Sequence, residues 1–234
     1  MLTTNEIKQQ VGKAAVELIK EGMTVGLGSG STVFYLIEEL GKKTGNGFKC
    51  IAIPTSERTR TLAGERSIPI AELNDVMSIN ITIDGADEID NQLQLIKGGG
   101  GALLQEKMVA AASNQLVIIA DYTKWKNVLG DFPLPIEVVP YGWKLVWQKI
   151  YDLYLIKSEL RMQGDKPFIT DHGHYILDCP FVQINDPAGL NSSLHLIPGV
   201  VETGLFVDMC NMTIIGYPDG SVKQLHKPEK KSNY

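Results

Sequence analysis

Short apolar segments alternate with amphipathic ones through the first half of the chain, and this alternation constrains its fold more than any other feature. Strands are predicted in "MTVGLG", "KCIAIPTS", "INITID" and "NQLVIIAD". Helices are predicted in "STVFYLIEELGKK", "SERTRTLAGE" and "ALLQEKMVAAAS", and over residues 5–21, where Gly22 is expected to end the helix. Strands that alternate with helices at this spacing predict an α/β fold whose parallel sheet is covered on both sides.

The pattern changes after about residue 131. "FPLPIEVVP" and "GVVETGLFV" are extended, "WKLVWQKIYDLYLI" and "DPAGLNSSLHLI" are helical, and "PFITDHGHYILDC" resembles a hairpin around residues 171–173. This βαββαβ-like order predicts a small α+β domain over residues 132–205. Residues 1–131 and 206–234 are predicted to form the larger domain, with "GLFVDM", "MTIIGYPDG" and "SVKQL" returning to its sheet.

Charge and cysteine usage exclude several classes of protein. The net charge of the 234-residue chain is −5, whereas a general nucleic-acid binder usually carries a basic footprint. The only lysine-dense stretch, "HKPEKKSNY", is expected to be a solvated tail. Cys50, Cys179 and Cys210 are too scattered for a disulfide framework or a CxxC metal site, and His172 and His174 lack a third ligand. The sequence contains no run of 18 apolar residues that would predict a membrane span. The cytoplasm is therefore the expected location.

"GLGSGST", residues 26–32, falls between a predicted strand and a predicted helix. In an open α/β sheet, ligands bind beyond the carboxyl ends of the strands, and a helix N-terminus there suits phosphate. The loop has no lysine for a Walker A motif, and no acidic residue ends the second strand as a dinucleotide fingerprint requires. It therefore favours a small phosphate over ATP or NAD. The alternative is an ordinary strand–helix turn with a serine N-cap.

"DGADE" follows the third predicted strand, so Asp84 and Asp87 are expected at the same sheet edge as the glycine loop. The spacing of an EF-hand calcium loop is absent. Two close carboxylates can instead bind sugar hydroxyls or transfer protons, with the pair pushing one pKa upward. Lys124 in "ADYTK" follows the fourth strand and falls at the same edge. An acidic solvated turn and a surface lysine are the alternatives.

"KGGGGALLQEK" places Lys97 before four consecutive glycines and Glu106 about one turn into the next helix. Each glycine in regular structure is destabilising by about 0.5–1 kcal/mol relative to alanine, so the run needs a compensating gain. Bare amides from Gly98 to Gly101 can stabilise a developing negative oxygen, and a carboxylate beside them can act as a general base. The alternative is that Glu106 is an exposed helical residue paired with Lys107 or another surface charge.

Together these stretches resemble ribose-5-phosphate isomerase of the A type. "GLGSGST", "DGADEID", "KGGGGALLQEK", "FPLPIEVVP" and "IPGVVETGLF" are similar to that family's segments in order and spacing, over nearly the whole chain. The resemblance implies a Rossmann-like parallel-sheet domain with a smaller ferredoxin-like α+β domain. It also implies reversible aldose–ketose isomerisation of ribose 5-phosphate and ribulose 5-phosphate, in the non-oxidative pentose phosphate pathway. Family members need no metal or organic cofactor and commonly form homodimers or higher homo-oligomers.

The resemblance also carries site residues over to this chain. It implies Glu106 as the base that moves a proton between C2 and C1 of the sugar through an enediol or enediolate. Asp84, Asp87, Lys97 and Lys124 are implied to take part in catalysis. The implied substrate contacts are Ser29, Gly30, Ser31, Thr32, Asp84, Gly85, Ala86, Asp87, Lys97, Gly98, Gly99, Gly100 and Lys124.

Two positions depart from many family members, since Gln105 stands where some have arginine and Gly101 where alanine is frequent.

Three other classes of function stay open. A sugar-phosphate sensor needs no base at position 106 and usually carries a basic helix-turn-helix segment. A coenzyme A transferase-like enzyme would use a glutamate nucleophile, and an acyl-CoA exchange assay separates it. A dinucleotide oxidoreductase would need an acidic residue at the end of the second strand, which this chain lacks. A test of NAD binding would decide whether the chain belongs to this class.

Overall fold

The computed structural model describes residues 1–227, so residues 228–234, with most of the expected solvated tail, lie outside the described part of the chain. The α-helices within that part are α1 (Thr4–Val16), α2 (Ser31–Gly45), α3 (Glu57–Glu65), α4 (Leu103–Ala111), α5 (Trp143–Tyr154) and α6 (Pro187–His195). Short 3-10 helices lie at Leu73–Asp75 and Tyr122–Lys124. The strands are β1 (Thr24–Leu27), β2 (Ile51–Pro54), β3 (Ile81–Asp84), β4 (Glu88–Ile89), β5 (Leu95–Ile96), β6 (Leu116–Asp121), β7 (Leu134–Val138), β8 (Glu159–Leu160), β9 (Met162–Gln163), β10 (Lys166–Pro167), β11 (Tyr175–Cys179), β12 (Val200–Thr203), β13 (Leu205–Phe206), β14 (Met212–Gly216) and β15 (Val222–His226).

The main sheet has the strand order β15-β14-β6-β3-β1-β2, and every pair of neighbours is parallel except β14 with β15. Val117 and Ile119 of β6 lie in the core that includes residues of α1 and α2. Ile118 and Ala120 of the same strand lie in a second core on the opposite face. Burial on both faces explains why this strand has no polar side, and the predicted parallel sheet is confirmed.

A second, smaller sheet has the order β12-β7-β11-β8, and all of its pairs are antiparallel. With α5 and α6 its elements follow the predicted βαββαβ order. Val146 and Ile150 of α5 and Leu194 of α6 share one apolar core with this sheet. The fold class, a mainly parallel α/β sheet with a smaller antiparallel α+β unit, is therefore confirmed. The domain limits at residues 131/132 and 205/206 stay a prediction.

Two local predictions were wrong, and a third holds only in part. The first helix ends at Val16 rather than near residue 21, because the amides of Leu18 and Ile19 turn to carbonyls three residues back. The strand in "GLFVDM" pairs with β5 in a three-stranded sheet, not with the main sheet. The two arms of the expected hairpin meet only at its turn, where the amide of Thr170 donates to the carbonyl of His174 at 2.9 Å, because Arg161 lies between them farther along. Its amide donates to Ile176 O, and its carbonyl accepts from the amide of Phe168.

The carboxyl ends of β1, β3 and β6 lie side by side in the main sheet. The glycine loop leaves β1, the acidic loop leaves β3, and the segment with Lys124 leaves β6, so the three loops meet at one edge. The lysine–glycine stretch joins them because β5 ends at Ile96, directly before Lys97. Sheet topology therefore assembles all the predicted site segments.

We expect Gly26→Ala to destabilise the fold, because a Cβ at position 26 would lie 1.9 Å from Thr82 Oγ1 and 2.7 Å from Val109 Cγ1. Overpacking of this kind costs about 1–3 kcal/mol. Gly45→Ala at the end of α2 is the matched control, since a Cβ there meets nothing within 4 Å and should be neutral or stabilising by about 0.4–1 kcal/mol. Urea unfolding curves measure both, and equal stability of the two variants would contradict the packing argument.

Candidate active site

The glycine loop presents free backbone amides at the start of α2. Gly30 directly precedes the helix, with φ +105°, and no side chain caps the helix start. The first hydrogen bond of the helix runs from the amide of Phe34 to the carbonyl of Gly30. The amides of residues 31–33 therefore have no acceptor within the helix. Gly28 lacks a side chain for a steric reason, because a Cβ there would lie 2.1 Å from Asp84 Oδ1. The serine N-cap of the alternative interpretation is absent at the start of α2, which leaves this helix end open to an anion.

Ser29 is bound by the protein on both sides. Its hydroxyl contacts the hydroxyls of Thr55, Ser56 and Thr59 at 2.8–3.1 Å, and its amide donates to Asp84 Oδ1 at 2.9 Å. These contacts hold the loop between the acidic loop and the start of α3.

Lys8 is a cavity residue that the sequence reasoning missed. It lies on α1, and its ammonium donates to Ser31 Oγ at 2.9 Å, beside the free amides of the loop. The close packing of α1 on α2 brings it there, because a Cβ on Gly12 would lie 2.8 Å from atoms of α2. The signal available in the sequence was a lysine on an otherwise apolar-faced helix that precedes β1, which is too common to single out.

Lys97 lies in the centre of the site with 2% of its surface exposed. Its ammonium donates to the carbonyl of Gly85 at 2.5 Å, and it lies 3.1 Å from Asp84 Oδ2 and 3.3 Å from Glu106 Oε1. Asp84 and Glu106 are themselves buried. One ammonium is thus shared by two carboxyl groups away from water, and Glu106 Oε2 has no hydrogen-bond partner within residues 1–227.

Burial and the neighbouring charges shift the pKa values of Glu106 and Lys97. Burial raises the pKa of the Glu106 carboxyl to about 8; the ammonium of Lys97 opposes the shift and the carboxylate of Asp84 adds to it. Burial alone would lower the pKa of Lys97, but the carboxylates of Asp84 and Glu106 outweigh it and raise the value. Near neutral pH the ion pair is therefore Lys97 with Asp84, and Glu106 keeps its proton until the pH approaches about 8. A carboxyl with a pKa in that range is suited to general acid–base work.

The glycine run directs its amides in two ways. The amide of Gly99 donates to Asp87 Oδ2 at 2.8 Å, and that of Gly101 donates to the carbonyl of Gly98 at 2.9 Å. The amides of Gly98 and Gly100 have no partner among the described residues. Position 99 requires glycine because a Cβ there would lie 2.7 Å from Asp87 Oδ1. Of the amides expected to face a developing oxyanion, those of Gly98 and Gly100 are available.

The loops enclose one cavity of about 160 Å³. All of the predicted site residues line it except Asp84, which lies behind Lys97. Lys124 is half-buried at its rim, and Lys8, Ile119 and Ala120 complete the wall. Anion-binding groups and a carboxyl–lysine pair that line one cavity can position a small phosphorylated molecule for proton transfer.

The competing interpretations of single residues can now be judged. Glu106 is 5% exposed and lines the cavity, so the interpretation as an exposed helical residue is wrong, and Lys107 pairs with Glu202 instead at 2.7 Å. The side-chain amide of Gln105 donates to the carbonyl of Pro54 at 3.0 Å, so this departure from the family is anchored at the end of β2. Within residues 1–227 there is no cluster of three metal-ligating side chains, and no helix there is long and apolar enough to cross a membrane.

The fold and the site define an enzyme that moves protons on a small phosphorylated substrate, and comparisons with known proteins give its family. The family model for ribose 5-phosphate isomerase A (phosphoriboisomerase A) matches residues 51–220. A ribose-5-phosphate isomerase A of Bacillus cereus is 51% identical over 215 residues, which cover 92% of this chain and 97% of the relative. This chain belongs to the ribose 5-phosphate isomerase A family, and the resemblance drawn from its motifs is confirmed.

Solved structures agree with that assignment. A D-ribose-5-phosphate isomerase in complex with phospho-erythronic acid matches with a TM-score of 0.93 at 39% identity, over 96% of this chain and 100% of that one. The ribose 5-phosphate isomerase of Plasmodium falciparum matches with a TM-score of 0.91 at 38% identity, over 95% and 99% of the two chains.

We expect the carboxyl of Glu106 to titrate with an apparent pKa of about 8 rather than at its ordinary value of 4.5, because it is buried beside Asp84. Carbon-13 NMR of glutamate-labelled protein measures this directly. Lys97→Met should raise the value further, since it removes the opposing positive charge, and Asp84→Asn should lower it. A Glu106 resonance that titrates near 4.5, or shifts of the same sign in both variants, would contradict the assigned causes.

Proposed function

We propose that this chain interconverts ribose 5-phosphate and ribulose 5-phosphate, with Glu106 as the base. Membership of the ribose 5-phosphate isomerase A family supports the reaction. The observation that carries the residue assignment is the buried carboxyl of Glu106, which lines the cavity 3.3 Å from the ammonium of Lys97. An aldose–ketose isomerase needs a base for a carbon-bound proton and a positive partner for the oxygen that becomes negative.

In the proposed reaction, deprotonated Glu106 removes the proton from C2 of the open-chain aldose. Charge then develops on the carbonyl oxygen at C1, where Lys97 and the amides of Gly98 and Gly100 stabilise it. The resulting enediolate takes the same proton back at C1, and a second proton moves from the C2 hydroxyl to the C1 oxygen. The product is the ketose, and the number of protons on enzyme and sugar is unchanged.

The raised pKa of Glu106 serves this step in a specific way. A carboxylate with its usual pKa is a weak base for a carbon-bound proton, and burial makes Glu106 a stronger one once it is ionised. Lys97 opposes that shift, so it keeps ionised Glu106 accessible near neutral pH while it remains close enough to stabilise the oxyanion.

We assign the substrate's phosphate to the glycine loop. Free amides at the start of α2, the hydroxyls of Ser31 and Thr32, and the ammonium of Lys8 support this end of the cavity as the anion site. Asp87 and Lys124 would then face the sugar hydroxyls between the phosphate and the base. Asp84 acts from behind the cavity wall, where it neutralises Lys97 and holds the amide of Ser29.

We also propose that the protein works in the cytoplasm, without a metal or organic cofactor, as a homodimer or higher homo-oligomer. The family resemblance supports each of these proposals. Exposed apolar side chains of the smaller α+β unit support association of subunits, since Tyr141 is 94% exposed and Leu145 and Leu155 are each 77% exposed in the single chain.

We expect Glu106→Gln to lower turnover of ribose 5-phosphate by about 10²-fold or more, because a general base contributes a factor of about that size. The assay is run in excess EDTA, with Glu17→Gln as the matched control, since Glu17 is an exposed residue directly after α1. Turnover that survives Glu106→Gln would reject this base and keep the isomerase. A folded wild-type protein that binds ribose 5-phosphate without converting it would reject the isomerase in favour of a sensor.

We expect Lys8→Met to raise KM for ribose 5-phosphate about tenfold and to leave kcat nearly unchanged, because a lost hydrogen bond to phosphate weakens substrate and transition state equally. Lys13→Met is the control, since Lys13 is exposed on the same helix and does not line the cavity. Steady-state kinetics separate the two parameters. A fall in kcat at constant KM would place Lys8 at the reacting carbons instead.

A further inference from the structure

Arg161 reaches the glycine run from the smaller α+β unit. It lies between β8 and β9, and its Nη1 donates to the carbonyl of Gly98 at 2.8 Å and to that of Gly99 at 3.2 Å. No step of the proposed reaction involves Arg161 directly. Its side chain does not line the cavity, but it hydrogen-bonds to the backbone of the glycine run.

The guanidinium of Arg161 is held on rigid elements. Asp178 on β11 binds it with both carboxylate oxygens, from Nε at 2.9 Å and from Nη2 at 2.5 Å. The side chain of Arg161 is 14% exposed, and its guanidinium carbon lies 6.0 Å from the ring centroid of Phe168. The ring of Phe168 also lies against Gly101, where a Cβ would meet it at 2.4 Å. A fork bound this way loses little further freedom when it binds the two carbonyls.

Peptide planarity converts these contacts into control of the amides. All peptide bonds among the described residues are trans, so the carbonyl of Gly99 and the amide of Gly100 point in opposite directions from one rigid plane. Arg161 binds the carbonyl from outside the cavity, which directs the amide of Gly100 towards it. In the preceding plane, Arg161 binds the carbonyl of Gly98 and Asp87 binds the amide of Gly99.

Four consecutive glycines would otherwise leave these planes free to rotate, because glycine populates most backbone conformations about equally. A donor on a rotating plane gives less stabilisation to a developing charge than a fixed one. A cation on the carbonyl oxygen also polarises the peptide and strengthens its amide as a donor.

We propose that Arg161, oriented by Asp178, is a positioning residue that fixes and polarises the Gly99–Gly100 peptide, so that the Gly100 amide stabilises the oxyanion of the isomerisation. The inference rests on the proposed function. It gives the smaller α+β unit a part in the chemistry of a cavity that the main sheet builds.

The first test is the kinetics of Arg161→Ala and Arg161→Lys. We expect kcat of Arg161→Ala to fall about 10²-fold with little change in KM, since a misplaced group costs about that factor in the chemical step alone. Arg161→Lys keeps a donor and a charge and should lie between. Millimolar guanidinium chloride should restore part of the kcat of Arg161→Ala, and sodium chloride at the same concentration should not.

The matched control is Arg60→Ala. Arg60 binds the two carboxylate oxygens of Glu72 at 2.7 and 2.9 Å, as Arg161 binds Asp178, but it touches no residue of the glycine run. It should leave kcat unchanged. Thermal melting of each variant shows whether the folded state is kept, and Arg161→Lys carries the test if Arg161→Ala does not fold.

A binding experiment gives a second readout that a purely structural role would not move. Phospho-erythronic acid carries a carboxylate as well as its phosphate, whereas inorganic phosphate can occupy only the anion end of the cavity. By calorimetry, Arg161→Lys should weaken binding of phospho-erythronic acid by about tenfold and leave the affinity for inorganic phosphate unchanged, because only the former meets the oxyanion donors.

The inference and the proposed function fail in different ways. A wild-type protein that does not turn over ribose 5-phosphate rejects the function. A wild-type protein that does, together with folded Arg161 variants whose kcat and phospho-erythronic acid affinity are unchanged, rejects the positioning role alone. Equal losses of affinity for both ligands, or rescue by sodium chloride as good as by guanidinium, would also overturn it.

Discussion

One buried ammonium group, that of Lys97, has to serve two carboxyl groups, and the construction of the site follows from this imbalance. Taking charges out of water is costly unless each is paired, and a second buried carboxylate beside an existing ion pair has no counter-charge of its own. Asp84 takes the ion pair because the amides of Ser29 and Gly85 also donate to it. Glu106 receives no such donors and keeps a proton instead. Asp84 and Glu106 thus differ because backbone amides of two neighbouring loops donate to Asp84 and not to Glu106.

The glycines around this cluster are explained by the same crowding. Gly28 lets Asp84 approach the first loop, and Gly99 lets Asp87 approach the lysine–glycine stretch. With side chains removed, backbone amides and carbonyls become the working polar groups, and their directions must be set by something else. Asp87 on one side of the glycine run and Arg161 on the other supply that restraint. The glycines destabilise the fold, but they let polar groups of neighbouring loops approach the backbone closely. The contacts of Asp87 and Arg161 limit the backbone disorder that glycine would otherwise cause.

The sequence could predict those features that depend on local pattern and on sheet topology. The βα alternation places Asp84, Lys124 and the glycine loop at one sheet edge, and the motif resemblance implied the role that is proposed for Glu106. Lys8 and Arg161 could not be found this way, because the packing of α1 on α2 and the segment between β8 and β9 bring them to the site from positions without a motif. The hairpin prediction holds only at the turn for a related reason. The amide of Thr170 donates to the carbonyl of His174, but farther from the turn the backbone of Arg161 takes the hydrogen bonds of Phe168 and Ile176.

Burial of Glu106, the proposed base, makes the stability of the fold and the proposed activity depend on pH in opposite directions. Because the pKa of Glu106 is higher in the folded chain than its ordinary 4.5, Glu106 favours folding fully below that value, and its contribution is lost as the pH rises through about 8. The ionised form, which is the one proposed to remove a carbon-bound proton, is therefore the one that stabilises the fold least. Lys97 reduces this conflict, since its charge opposes the rise in the pKa of Glu106 and would stabilise the oxyanion of the proposed reaction. A neutral hydrogen-bond donor in its place could serve the oxygen, but it would leave the ionised base without a counter-charge.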